Sequence, residues 1–509
     1  MSTFHKKLEK RRKQFKSTST KERTIQRRYN QQIQISKAKR EELLNKKRNL
    51  LPTNDLNIYQ PEEIKKYIKI LPQLAKQLQS KNNKEKTEAS EIIRNLLSIP
   101  EDPPIDQVLQ CKILPILVDL LQDPKEPDLQ FNAAWIISNI ASGLSEHTKL
   151  VVESNTIPIF VGLLGSKNED IQLQSIWALG NIAGDDLSYR NTLLEFNAIN
   201  LLCDIVNKTT DFEIVKKSIW VLRLLCNGNP VPTFEMVLPL MNVLKNMLVY
   251  SNREIIVEAT TALGYLAEGS EKNIQLIIEH NIVSLLVALL KYNDNIIKFP
   301  SLRCIGNLIT GNQEQIISVL DNGLIQYIID FLQSQKLAIR KEACWILSNI
   351  CACTSIQIQD VLDEGALPHL IYILENDINQ VIKEACYVIS NMINYAKHSQ
   401  CRTIASLGII PILTRLLSNE NQEIIYTCIE SLDIFFKVED ADSELQNKEL
   451  NEYRNQFEEE DGIKKIEMLM ESKVSNIRKR AEYFYYIHIE TLSDEEDDEE
   501  SEDLFYEEL

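Results

Sequence analysis

The stretch AWIISNIA, residues 134–141, recurs along the chain and decides the fold. It returns as IWALGNIA at 176–183 and as CWILSNIC at 344–351. In each copy a Trp precedes an Asn by four residues, so on an α-helix both side chains lie on the same face, one turn apart. The last of the four tryptophans, Trp220, occupies the same place in SIWVL, residues 218–222. We call these two places of the repeated helix the Trp position and the Asn position.

The spacing of the copies predicts the architecture. Trp positions recur about every 42 residues: Trp135, Trp177, Trp220, Thr261, Arg303, Trp345 and Tyr387. A period near 42 is typical of armadillo or HEAT repeats, helical units that bury their apolar face only by stacking on their neighbours. We therefore predict an all-α, right-handed superhelical solenoid of about ten armadillo repeats over residues 61–490.

Composition agrees with this fold and excludes several functions. The 509 residues are 44% apolar, with only 14 Gly and 16 Pro, and no run of 18 apolar residues predicts a membrane span. The N-terminus lacks the apolar core of a secretory signal. Ten scattered Cys indicate reduced, mostly buried thiols of a cytosolic or nuclear protein. The sequence has no phosphate-binding loop, zinc-protease motif or nucleophile–base pattern, so we expect no enzyme, no cofactor and no metal site.

Charge is segregated along the chain. Residues 1–50 carry 17 Lys and Arg and four acidic residues, a net charge of +13, whereas the whole chain carries −17. Residues 491–509 carry 11 acidic residues and no Lys or Arg. Neither end has enough apolar surface to offset its ordering entropy, so we predict a flexible basic arm and linker over 1–60 and a disordered acidic tail over 491–509.

The repeated Trp and Asn predict a peptide-binding groove. Stacked repeats place the same helix of each unit on one concave side, so the two positions should form parallel ladders there. Core packing is the alternative, but Ile and Leu already fill the core positions, and Asn is a poor core residue without a partner. Asn side chains both donate and accept hydrogen bonds and so can hold an extended peptide backbone. Trp faces form slots for Lys or Arg stems, with a cation–π attraction of about 0.5–2 kcal/mol. Asp185, Glu342 and Glu384 are placed to meet the charged heads.

The ladder is interrupted, which predicts two binding stretches. It is intact at the first two Trp positions and loses its Asn at Leu224. It is altered at Thr261 and Arg303, and it returns at Trp345 and Tyr387. A ligand with two basic clusters can engage both stretches, the second at high effective concentration.

With these residues the chain resembles the importin-α (karyopherin-α) family of nuclear import adaptors over nearly its whole length. The resemblance implies an adaptor that binds Lys/Arg-rich nuclear localisation signals of cargo proteins in an acidic, Trp/Asn-lined groove. The implied major site consists of Trp135, Asn139, Gly143, Thr148, Trp177, Asn181, Asp185 and Trp220. The implied minor site consists of Tyr265, Arg303, Asn307, Glu342, Trp345, Asn349, Glu384, Tyr387 and Asn391. The chain departs from the family pattern at Leu224, Asn227, Thr261, Gln313 and Tyr387.

The resemblance also implies two protein partners and a shuttling location. Residues 10–50 resemble the segment that binds importin-β, with Arg27, Arg28, Lys37, Lys39 and Arg40 as the implied contacts. Glu459 to Leu469 resembles the last repeat, which the recycling exportin grips. The implied location is the cytoplasm and the nucleus, with passage through nuclear pores, and no direct binding of nucleic acid or membrane is expected.

The basic arm also carries a tethered ligand for the groove. The three cations Lys46, Lys47 and Arg48 precede the first repeat by a short linker, so they compete at an effective concentration that can reach the millimolar range. We expect them to inhibit the groove when the arm is not bound elsewhere.

Two other functions remain open from the sequence. One is an armadillo scaffold for signalling or adhesion partners, which binds acidic peptides and needs a basic groove. The other is a nucleic-acid-binding protein that uses residues 1–50, for which a steep salt dependence of DNA binding would be the sign.

Overall fold

The computed structural model describes residues 61–99, 102–268, 270–446 and 450–490. The basic arm and the acidic tail, with all the residues predicted there, lie outside the described residues. Within the described ranges the chain forms 28 α-helices and no β-strand. The helices are α1 Pro61–Gln77, α2 Asn83–Leu97, α3 Ile105–Gln110, α4 Leu114–Leu121, α5 Pro127–Ala141, α6 Ser145–Glu153, α7 Thr156–Leu163, α8 Glu169–Ala183, α9 Leu187–Glu195, α10 Ala198–Lys208, α11 Phe212–Cys226, α12 Phe234–Met247, α13 Arg253–Ala267, α14 Glu271–Glu279, α15 Val283–Leu289, α16 Asn295–Leu308, α17 Gln313–Leu320, α18 Leu324–Leu332, α19 Leu337–Cys351, α20 Ser355–Asp363, α21 Ala366–Asn376, α22 Asn379–Tyr395, α23 His398–Ser406, α24 Ile409–Leu416, α25 Gln422–Gln446, α26 Glu452–Glu459, α27 Gly462–Met470 and α28 Ser475–His488.

Several of the long helices begin at a side chain that caps their N-terminus. Asn168 accepts hydrogen bonds from two backbone amides at the start of α8. Asp211 does the same for one amide of α11, and Asn252 for two amides of α13. Such caps satisfy amides that have no partner inside the helix and contribute about 1 kcal/mol each.

The turn between the two shorter helices of a repeat also recurs. This turn contains a residue with a positive φ in eight units: Lys112, Asn155, Asn197, Asn281, Gly323, Gly365, Gly408 and Asp461. This left-handed conformation strongly favours Gly and tolerates Asn and Asp, which occupy seven of the eight positions.

The long helices stack on one another within each of two compact units. In the first unit, which ends at Leu276, α2, α5, α8, α11 and α13 pack in that order. In the second unit, which begins at Ile277, α16, α19, α22, α25 and α28 do so. Buried Ile and Leu fill the space between neighbours, as at Ile140 and Ile182. The predicted all-α armadillo fold is confirmed.

Two further features bear on function. Along the described ranges, no helix is both long and apolar enough to cross a membrane. All ten cysteines are free thiols, and eight of them are buried.

Candidate functional site

The predicted site residues lie on the long helices. The first unit carries Trp135 and Asn139 on α5, Trp177 and Asn181 on α8, and Trp220 on α11. The second unit carries Arg303 and Asn307 on α16, Glu342, Trp345 and Asn349 on α19, and Glu384, Tyr387 and Asn391 on α22.

The Asn side chains of the first unit tie each long helix to the one before it. Asn139 Nδ2 donates to Ser98 Oγ at 3.1 Å, and Trp135 Nε1 donates to the same hydroxyl at 3.1 Å. Asn181 Nδ2 donates to the carbonyl of Ser138 at 2.9 Å. The Oδ1 atom of Asn181 is buried and has no hydrogen-bond partner among the described residues. The amide nitrogen therefore holds the neighbouring helix, while this acceptor stays unused.

Two of the tryptophans are packed rather than exposed. Trp177 is 3% exposed and Trp220 is 4% exposed, with ring centroids 6.2 Å apart and planes tilted by 56°. The Trp220 ring lies directly on Gly180, where any Cβ would collide with it. Asn139 and Asn181 are buried as well. The prediction of an exposed ladder is wrong for these four residues. Trp220 is covered because Gly180 lets α11 approach α8 closely.

A lysine that the sequence analysis missed lies against this aromatic pair. Lys217 Nζ is 3.9 Å from the centroid of the Trp177 ring, and the residue is 5% exposed. Burial lowers the pKa of Lys217 to about 8, although Glu213, Glu254 and Glu258 act in the opposite direction. The sequence places Lys217 three residues before Trp220, but its contact with Trp177 arises only when α11 packs on α8.

Another missed cation lies at the first Trp of the ladder. The Arg94 guanidinium is 5.5 Å from the Trp135 ring, and its Nη1 donates to Asn132 Oδ1 at 2.7 Å. One repeat before Trp135 and Asn139, Arg94 and Ser98 occupy the Trp and Asn positions of α2. Neither residue type resembles the motif, so the pattern of Trp and Asn did not reveal this first rung.

The residues predicted around the primary lysine are only partly accessible. Asp185 is half-buried just after α8 and accepts a hydrogen bond from Ser145 Oγ at 3.1 Å. Gly143 is half-buried beside the His147 ring, which any Cβ there would strike. Thr148 is fully buried, and its hydroxyl donates to the carbonyl of Ala141 at 2.9 Å. The prediction that this hydroxyl receives a ligand is therefore corrected: it braces the end of α5.

A buried ion pair joins α11 to α13, where the Trp and Asn pattern is interrupted. Arg223 on α11 is paired with Glu258 on α13, and both side chains are buried. Tyr265, predicted as part of the minor site, is 5% exposed in the first unit and bonds to Arg223. Its assignment to the minor site is corrected, since its hydroxyl serves this cluster. Leu224, at the Asn position of α11, is buried beside it.

The second unit carries polar atoms that lack partners. The Oε1 atom of Glu342 is buried without a hydrogen bond, and so is Nδ2 of Asn349, in both cases among the described residues. Both lie on α19 with Trp345, which is half-buried with its ring against Gly306. Burying a charged carboxylate without a partner is unfavourable, so this oxygen favours a cation or a hydrogen-bond donor from outside the chain.

The last rung of the second unit is acidic. Asn391 Nδ2 donates to the carbonyl of Ser348 at 2.8 Å, which repeats the link made by Asn181. Burial raises the pKa of the Tyr387 phenol, and the nearby carboxylates of Glu423 and Glu384 raise it further. Negative charge therefore surrounds this aromatic side chain. On α16, Asn307 is buried and Arg303 is half-buried.

Two family models match the chain. The armadillo/β-catenin-like repeat matches residues 101–142, 145–184, 270–310, 312–352 and 354–393. The importin-β-binding domain matches residues 11–91, so the matched segment runs past residue 60 into α1 and α2.

Curated relatives give a consistent picture. The chain is 34% identical over 290 residues to importin subunit alpha-2 of Arabidopsis thaliana, covering 56% of this chain and 54% of that one. It is 38% identical to importin subunit alpha-4 of the same plant over 291 residues, covering 55% of this chain and 54% of that one. Importin subunit alpha-B of Dictyostelium discoideum is 38% identical over 285 residues, covering 56% and 55%. The chain thus spans about half the length of the curated relatives it matches.

A solved structure supports the fold alone. The crystal structure of an engineered protein superposes with a TM-score of 0.71, covering 82% of this chain and 98% of that protein. The two sequences are 23% identical.

Proposed function

The chain belongs to the importin-α family, and on that premise we propose that it is a nuclear import adaptor. It binds the Lys/Arg-rich nuclear localisation signals of cargo proteins on its long helices and links the cargo to importin-β through its basic N-terminal segment. The proposed domains are a basic segment and linker over 1–60, armadillo repeats over 61–490 and an acidic tail over 491–509.

The observation that carries this proposal is a set of unused polar atoms on the ladder. Asn349 Nδ2 can donate to a peptide carbonyl, and Glu342 Oε1 can meet a Lys or Arg head. Buried polar groups in proteins are rarely left without partners, so these two atoms beside Trp345 on α19 support an extended basic peptide as the ligand.

Charge supports the same assignment. The arm carries +13, so the remaining residues carry −30. Glu423 and Glu384 lie near the Tyr387 ring, which is the chemistry of a cation slot. The arm itself fits such a groove, and we propose that Lys46, Lys47 and Arg48 occupy it until importin-β binds the arm at Arg27, Arg28, Lys37, Lys39 and Arg40.

Two further parts of the proposal follow from the family. The C-terminal repeats, around Glu459 to Leu469, contact the recycling exportin. The protein then shuttles between cytoplasm and nucleus, and it acts as an adaptor rather than as an enzyme.

The experiment that tests the function compares three peptides. Anisotropy titrations of the full chain with importin-β present would use a Lys/Arg-rich peptide, the same peptide with one Lys replaced by Ala, and an acidic peptide of equal length. We expect the basic peptide to bind at least tenfold more tightly than either of the others. Preference for the acidic peptide would instead support the signalling or adhesion scaffold.

A further inference from the structure

Lys217 occupies a place that a ligand cation would take. Its ammonium lies over the face of Trp177 at 3.9 Å, and its helix also supplies Trp220, the second ring of the pair. No carboxylate of the described residues lies within ion-pair distance of Lys217, whereas its neighbour Lys216 pairs with Glu254 at 2.6 Å. The aromatic face is therefore the principal partner of the Lys217 charge. Such an interaction strengthens when the cation is desolvated.

The space between the two rings is too narrow for any aliphatic stem. Carbon atoms in contact are about 3.5–4.0 Å apart, so an aliphatic stem stacked between two rings needs them about 7–8 Å apart. The centroids of Trp177 and Trp220 are 6.2 Å apart, and the rings are tilted. Gly180 allows this approach because Trp220 lies directly on it.

The same helical position carries opposite charge in the two units. Lys217 precedes Trp220 by three residues, just as Glu342 precedes Trp345 and Glu384 precedes Tyr387. In the first unit this position faces the Trp-position residue of the preceding long helix, as Lys217 faces Trp177 and Asn132 faces Arg94. The position three residues before the Trp position therefore carries a cation, Lys217, in the first unit and the acids Glu342 and Glu384 in the second.

We propose that Lys217 is a specificity-determining residue that covers the face of Trp177 from within the chain, so that this face is closed to a ligand cation. The inference rests on the proposed function and deepens it. A basic peptide bound to the first unit then gains from lysines near Asp185 but not from a lysine facing this pair. Cargo peptides preferred by the first unit carry a basic cluster interrupted at one position.

The test uses substitutions that remove one positive charge at neighbouring positions. Lys217→Ala uncovers the Trp177 face, Lys217→Asn does so with a polar side chain, and Lys216→Ala is the matched control. The probe is a labelled peptide with four consecutive lysines flanked by Gly and Ser, together with its four single Lys→Ala forms. Each full-length variant is titrated with importin-β present, and its melting temperature is measured first.

We expect the wild-type protein to tolerate Ala at one interior lysine with less than a threefold loss of affinity. Lys217→Ala and Lys217→Asn should bind the four-lysine peptide about tenfold more tightly and lose that gain when Ala stands at the same position. Lys216→Ala should change affinity less than threefold.

The outcomes separate the two claims. If all proteins bind the peptide but the Lys217 variants match Lys216→Ala, the slot assignment fails and the proposed function stands. If neither the wild type nor any variant binds the lysine peptide, the proposed function fails and this inference fails with it.

Discussion

At the residue scale, we predict that Asp185 holds a ligand cation in the first unit. It is half-buried at the end of α8, and Ser145 donates a hydrogen bond to it. Asp185→Lys should weaken binding of a single-cluster basic peptide by about 2–5 kcal/mol, because a partly desolvated charge pair is replaced by repulsion. Calorimetric titration of the full chain with importin-β present measures this loss.

A matched control makes the same charge change elsewhere in the first unit. Asp204 is exposed on α10 and pairs with Lys208, four residues later. Asp204→Lys should leave the peptide affinity within about threefold of wild type, since exposed charges at a distance are screened by salt. Equal losses in the two variants would show that overall charge, rather than a pocket at Asp185, controls binding.

Lys217 should make stability depend on pH in the alkaline range. Its pKa is about 8 in the folded chain, against an ordinary lysine value of 10.5 in the unfolded chain, chiefly through burial. The charges that act on it are Glu213 and Lys216 on its own helix and Glu254 and Glu258 on α13. Between pH 8 and 10.5 the unfolded state binds more protons than the folded state, so the unfolding free energy rises with pH in this range. The destabilisation caused by burying the charged Lys217 is therefore complete below pH 8 and disappears as the pH rises to 10.5.

The measurement is the unfolding free energy of wild type and Lys217→Ala at several pH values. The unfolding free energy of the wild type should increase relative to that of Lys217→Ala by about 2–3 kcal/mol from about pH 7 to about pH 10. A difference that stays constant over this range would mean that Lys217 keeps its ordinary pKa.

At the element scale, two glycines let a long helix receive the Trp of the next one. Trp345 lies on Gly306 as Trp220 lies on Gly180, and a Cβ at either glycine would overlap the ring. Gly306→Ala should therefore lower the unfolding free energy by about 1–3 kcal/mol through overpacking. The same substitution should also weaken the binding of basic peptides to the second unit, because the Trp345 ring must move.

Gly162→Ala is the matched control, because it adds the same methyl group where no atom is in contact. Gly162 lies in α7, and nothing is within 4 Å of the place where a Cβ would stand. Gly162→Ala should raise stability by about 0.5–1 kcal/mol, since Ala is the better helix former. Thermal unfolding followed by circular dichroism compares the two, and similar effects of both changes would contradict the role given to Gly306.

Sequence periodicity was sufficient to predict the helices but not the accessibility of the ladder. The repeat of about 42 residues placed every Trp position correctly on a long helix, because stacking demands the same register in each unit. Burial of Trp177 and Asn181 depends on how closely neighbouring helices approach, which is set by contacts between residues about 40 apart. Lys217 was missed for the same reason, since only the packing of α11 on α8 brings it to Trp177.

At the scale of the whole molecule, the two ladder segments belong to different compact units, so they can be disabled separately. Trp345→Ala with Asn349→Ala should weaken a peptide with two basic clusters at least tenfold and a single-cluster peptide less than threefold. The reason is that only the first ligand gains from a second tethered contact. Titration of both peptides against the variant measures the difference.

The second unit also contains a matched pair outside the ladder. Tyr372 and Asn376 are exposed on α21 with the same spacing of four residues. Tyr372→Ala with Asn376→Ala should leave both peptides within about threefold of wild type. A loss as large as that of the ladder variant would argue against a separate second site on α19.

The central claim, a basic-peptide groove controlled by a basic arm, is tested most directly by one affinity. It is the affinity of the full chain for a Lys/Arg-rich peptide, measured without importin-β and with importin-β at saturation. Importin-β should tighten binding at least tenfold by removing Lys46, Lys47 and Arg48 from the groove, as linkage requires. A peptide affinity that is the same in both conditions, and the same after one Lys is replaced by Ala, would contradict the account.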